Sequence, residues 1–90
     1  MLKTKESIES WLKEMNIQNY VILENLSINV DDPVDLSNLN LKKIPIQFNI
    51  VRGSFYCHDN KLKSLEEVPQ EVEGIFSCFY NQLKSLEEVP

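Results

Sequence analysis

The decapeptide NKLKSLEEVP at Asn60–Pro69 returns 21 residues later as NQLKSLEEVP at Asn81–Pro90, with Lys61 to Gln82 the single change. The residues ahead of each copy keep the same step: Gly53 maps to Gly74, Phe55 to Phe76 and Cys57 to Cys78. A period of this size means that each copy buries its apolar side against the next, because one copy cannot cover it alone. Stepping back by the same interval places Val30 under Val51, Val34 under Phe55, Leu36 under Cys57, Leu41 under Leu62 and Ile44 under Leu65. Apolar character survives in each of these slots. The asparagine slot departs, since Leu39 stands where Asn60 and Asn81 stand. The chain therefore divides into a lead-in at 1–29 and coils at 30–50 (diverged), 51–71 and 72–90 (incomplete).

Within one copy, Phe55 and Cys57 alternate with Ser54, Tyr56 and His58, so a short strand turns Phe55 and Cys57 inward. Leu62 and Leu65 supply two more inward anchors, Pro69 stiffens the return, Val72 points in again and Gly74 permits a tight entry to the next strand. Equivalent residues then stack about 4.8 Å apart as parallel strands. In the lead-in, Thr4 or Ser7 can cap a helix running to about Met15, with Ile8, Trp11, Leu12 and Met15 on one stripe and Asn16 as its stop. This stripe either docks in a partner's groove or folds back over the first coil, and solenoid ends need such covers. Residues 20–30 read as two short strands around Glu24 and Asn25.

The pattern Phe-x-Cys-x-x-Asn-x-Leu-x-Ser-Leu-Glu-x-x-Pro resembles the leucine-rich repeats in their short bacterial and phage variant, over residues 30–90. The lead-in, with Trp11, Asn19–Tyr20 and the stretch DLSNLNLKKIP at 35–45, is similar to small phage-borne members. The resemblance implies an α+β fold: a short leucine-rich-repeat solenoid of parallel strands, about two and a half coils, behind an N-terminal amphipathic helix and β-hairpin cap. It also implies that Asn60 and Asn81 hydrogen-bond backbone groups between coils and that the strand side is a concave binding face. Besides Leu39, Glu67 and Glu88 depart from the family by replacing the usual glycine after Leu-Glu, so turns or short extended segments are expected between strands.

Ninety residues make one small domain with an ordinary apolar content for a globular chain. Nine basic against fourteen acidic residues give a net charge of −5. That balance argues against direct binding to nucleic acid and permits binding to a basic protein surface. Met1–Ser7 is polar, and the longest apolar run, Tyr20–Leu23, is too short for a membrane span or signal core. A cytoplasmic location in a bacterium or infected bacterial cell, with reduced cysteines, is expected.

Cys57, His58, Asp59 and Cys78 include metal-ligand types, but one cysteine per coil in an inward slot reads as a buried stack of free thiols, and no metal or cofactor is expected. Glu66, Glu67, Glu87 and Glu88 stack into an acidic strip, which either keeps a face solvated or competes with nucleic acid for a basic groove. The outward strand positions carry Asp35, Tyr56, His58, Ile75 and Phe79, with Tyr80 beside them. Aromatic and imidazole side chains on one exposed face suit a protein-binding hot spot, and the alternative is packing against the end of the coils. With one His, no phosphate loop and no nucleophile–base spacing, an enzyme is not expected.

The expected function is therefore a non-enzymatic protein-interaction module. Its sharper form, implied by the resemblance, is a phage-type effector that binds and inhibits a host defence protein, with a nucleic-acid-binding host protein as one candidate partner. The alternative is a self-assembling structural or adaptor protein. The last coil stops at Pro90 without a closing element, so a homo-oligomer through this C-terminal end is also expected.

Overall fold

Thr4 starts the helix. Its backbone is extended (φ −122°, ψ 151°), its side chain accepts from the Ser7 N–H, and the Ser7 hydroxyl returns a bond to the Thr4 backbone, a capping box that satisfies two otherwise orphaned groups. The computed structural model describes residues 1–82. Helix α1 spans Lys5–Glu14 and ends through Met15 into Asn16, whose φ of 60° suits asparagine better than most residues. The expected stripe faces inward: Ile8 and Leu12 are fully buried, and Trp11 and Met15 pack on the core edge.

Strands β1 (Tyr20–Ile22) and β2 (Ile28–Val30) form an antiparallel hairpin with Tyr20 opposite Val30. The turn is held by Leu23 N–H donating to Ser27 O and by Asn25 Oδ1 accepting from both Ser27 N–H and Oγ. After these come β3 (Val34–Asp35), β4 (Phe48–Val51), β5 (Phe55–Tyr56), β6 (Glu71–Val72) and β7 (Phe76–Ser77). They assemble into two sheets, a mixed four-stranded one in the order β1-β2-β4-β6 and a parallel three-stranded one in the order β3-β5-β7.

The expectation of a leucine-rich-repeat solenoid behind a separate cap is corrected by this arrangement, a compact α+β body measuring 31 × 24 × 22 Å. Each 21-residue copy contributes one short strand to each of two sheets, rather than one strand and an irregular return. The hairpin is not a lid either, because β2 is an interior strand of the larger sheet, parallel to β4. The physical reason is burial. Ile8 and Leu12 of the helix share one core with Ile28 and Val30 of the hairpin and with Phe48, Phe55 and Leu62 of the repeated region. Trp11 meets Phe48 edge-on at 6.5 Å, and Phe48 meets Phe55 across the two sheets at 5.1 Å.

The 21-residue step survives as strand register: Val34 pairs with Phe55 and Phe55 with Phe76, while Val51 pairs with Val72. A bulge between Ile28 and Asn29 brings the hairpin into the same register, so that Val30 pairs with Val51. Phe55 and Cys57 are fully buried as expected of inward positions, as are Leu62 and Leu65.

The first copy has Leu39 in the asparagine slot and, 21 residues before Gly53, Asp32 in the glycine slot, and the two departures have one explanation. Asn60 reaches backwards: its Oδ1 accepts from Leu39 N–H and Leu41 N–H, and its Nδ2 donates to Leu36 O as well as to Cys57 O and His58 O. Asn81 repeats the pattern one copy on, through Leu62 N–H and Cys57 O. Glycine also faces backwards. A Cβ on Gly53 would lie 2.7 Å from Pro33 N, and one on Gly74 would lie 2.5 Å from Ser54 Oγ. Both glycines have negative φ, so close approach of the preceding copy, rather than backbone freedom, selects them. No such copy lies behind Leu39 and Asp32, and those slots lose asparagine and glycine together.

Candidate functional site

Sheet register builds the candidate face column by column. Asp35, Tyr56 and Ser77 are neighbours across the three-stranded sheet. Two residues further along each strand, Ser37, His58 and Phe79 follow, kept in step by Asn38 N–H donating to His58 O and Asp59 N–H to Phe79 O. The rings of His58 and Phe79 are stacked, with centroids 4.5 Å apart and planes within 4°. Tyr56 meets His58 edge-on at 6.2 Å, and Tyr80 meets Phe79 edge-on at 5.1 Å. The four rings thus form one connected aromatic surface whose outer members, Phe79 and Tyr80, are 54% and 76% exposed.

The next column is a bend in the backbone. Asn38, Asp59 and Tyr80 all adopt left-handed φ values, 57°, 57° and 54°. Asparagine and aspartate tolerate this region, whereas a bulky tyrosine is strained in it by roughly 1–2 kcal/mol. Tyr80 is thus both strained in its backbone and exposed.

Two acids border the rings. Asp35 Oδ1 accepts from Ser37 Oγ at 2.5 Å and from Ser37 N–H at 3.0 Å. These bonds, chiefly the one from the hydroxyl and aided by the nearby His58, hold the Asp35 carboxyl below its usual range. His58 Nδ1 lies 2.6 Å from Asp59 Oδ2, which orients the imidazole for its stack on Phe79. The surface therefore sets apolar rings beside two carboxylates.

The six predicted partner-binding residues are spread over the three-stranded sheet and its corners. Tyr56, His58, Phe79 and Tyr80 touch in a chain, Asp35 borders them in the Tyr56 column, and Ile75, 63% exposed, stands apart at the corner before β7. In the acidic strip, Glu66 is exposed, Glu67 is half-buried with its carbonyl accepting from Phe48 N–H, and Glu87 and Glu88 lie outside the described residues. Cys57 is a buried free thiol and Cys78 a half-buried one. Burial pushes the Cys57 pKa from 9.0 to about 12, with the neighbouring Cys78 adding to the effect. Among the described residues, no three His, Cys, Asp or Glu side chains converge as metal ligands. Likewise, no helix there is long and apolar enough to cross a membrane.

Sequence reading missed two features. Asp31, Arg52 and Glu73 also sit at the 21-residue step, and Arg52 bridges both acids, at 3.1 Å and 3.3 Å. The alternation of sign was legible in the repeat alignment. A groove of about 760 Å³ between α1 and the segment that follows it, lined by Glu6, Glu9, Lys13, Asn16 and Tyr20, left no comparable signal, since its walls are ordinary surface residues of the helix and the turn after it. Neither any protein-family model nor any curated protein or solved structure matches this chain.

Proposed function

We propose that the chain is a non-enzymatic protein-interaction module that holds its partner on the Tyr56–His58–Phe79–Tyr80 surface. The observation that carries this reading is Tyr80, strained in backbone and 76% exposed at the end of a chain of ring contacts. Aromatic anchors beside carboxylates favour a partner with a basic, partly apolar surface. Arginine guanidinium groups suit both features, because they stack on rings and pair with carboxylates.

The test uses affinity capture from source-cell lysate with the tag at the N-terminus. A stoichiometric partner is expected, retained by a Lys13→Ala control and lost by Tyr80→Asn. The asparagine variant restores the residue type that Asn38 represents in the same column, so its melting temperature should rise while capture falls. Retention of the partner by Tyr80→Asn and by Phe79→Ala alike would remove this surface as the site.

A further inference from the structure

Among the described residues, strand β6 (Glu71–Val72) is the edge of the four-stranded sheet, and its backbone is paired on one side only. Towards β4, Glu73 N–H donates to Val51 O at 3.1 Å and Gln70 N–H to Asn49 O at 2.9 Å. Successive residues of a parallel strand turn their polar groups to opposite sides, so the Val72 N–H and C=O point away from β4. Among the described residues, nothing takes them. The side chains tell the same story: Val30 and Val51 are fully buried, whereas Val72, next in that column, is half-buried.

Charge determines what fits there. Glu71 and Glu73 flank Val72 at positions i and i+2 and are both exposed. In the Asp31–Arg52–Glu73 column, acid, base and acid alternate from one level to the next, which leaves a cation as the complement of Glu73. A second copy of this chain laid against the same edge would bring its own Glu71 and Glu73 towards these two, and like charges across a strand pair repel. The same acids that discourage self-pairing therefore select a basic strand.

We infer that the β6 edge binds an extended segment of a basic protein partner, with side chains running basic–apolar–basic, which adds as a parallel strand opposite Glu71, Val72 and Glu73. Backbone pairing to Val72 supplies the attachment and the flanking carboxylates supply the selectivity. This rests on the reading of the chain as a protein-binding module, and it identifies the partner's chemistry at a second surface.

The probe is a fluorescein-labelled, end-blocked peptide with a Thr-Lys-Val-Lys-Val-Lys-Thr core, titrated with the full chain at low salt and followed by anisotropy. Saturable binding is expected, with about tenfold weaker affinity for Glu71→Lys/Glu73→Lys and a switch of that variant to the Thr-Glu-Val-Glu-Val-Glu-Thr peptide. N-methylation of the peptide's central valine, which leaves the protein untouched, should also weaken binding by about tenfold. Equal affinity of methylated and unmethylated peptides would reduce the contact to charge alone and overturn the inference. So would absence of binding, no switch in the reversed-charge variant, or a dimer of the chain that the peptide displaces. If the peptide fails while Tyr80→Asn still abolishes partner capture, the edge inference falls and the proposed function stands.

Discussion

Asn60 satisfies three backbone carbonyls and two backbone N–H groups with one side-chain amide, and it does so while buried. Replacing it with leucine leaves several of those groups without partners, at roughly 1–3 kcal/mol for each one that water cannot reach. Asn60→Leu is therefore expected to lower the stability by about 3 kcal/mol or more in urea denaturation. The converse substitution at the equivalent slot, Leu39→Asn, should change it by only a few tenths of a kcal/mol, because Leu39 is 43% exposed and has no earlier copy to reach. Cys57 carries a prediction in pH. Its folded-state pKa is raised from 9.0 to about 12 by burial, so the fold keeps the thiol neutral where the unfolded chain ionises it. That contribution is complete below pH 9 and is lost as pH rises towards 12. Alkaline titration of thermal stability should show a shallower decline for Cys57→Ala than for the parent chain.

At the scale of elements, the strands are two to four residues long and none could persist alone. They are held by register with the copy before and after, and the corners between them decide how closely copies approach. Gly53 and Gly74 occupy those corners for lack of room. In Gly53→Ala the added methyl would meet Pro33 N at 2.7 Å and Asp32 C at 3.0 Å, both backbone atoms that cannot rotate away. The expected cost is about 1–3 kcal/mol, read as a lowered urea midpoint with unchanged slope. Asp32→Gly, at the equivalent corner of the first copy, removes the bond from Asn19 Nδ2 and loosens the unfolded chain, without any steric conflict. The Arg52 bridges contribute little to stability, since all three partners are more than half exposed. Their significance lies in the alternation of charge that they impose from level to level.

For the whole molecule, the core is shared by the helix, the hairpin and the repeated strands, so the first 29 residues are not energetically separate from the rest. Trp11, which touches Phe48, reports on their junction. Urea unfolding followed by Trp11 fluorescence and by far-ultraviolet circular dichroism is expected to give coincident transitions. An earlier transition by fluorescence would mean that the lead-in detaches before the sheets unfold. The two edges at the far end, β6 and β7, are less covered than the strands before them: Val72, Phe76 and Cys78 are half-buried where Val51, Phe55 and Cys57 are fully buried. Both proposed contacts lie there, the rings on one sheet and the acid-flanked edge on the other.

The amino-acid sequence by itself determined the 21-residue step, the inward positions Phe55, Cys57, Leu62 and Leu65, the capped helix with its buried stripe, and the aromatic positions of the candidate face. These depend on local periodicity and on identical residues recurring at a fixed interval, which a linear reading detects. Only the tertiary structure decided that each copy feeds two sheets, that β2 joins the larger sheet as an interior strand, and that Arg52 links the acids of the levels before and after its own. Those outcomes depend on which apolar surfaces meet across the core, and Ile8, Val30 and Phe48 can meet only once the chain has folded back upon itself. The missing asparagine and glycine of the first copy belong to both. The absence of the asparagine was read from the sequence, and the reason for both absences, that both residues serve the copy behind them, required the fold.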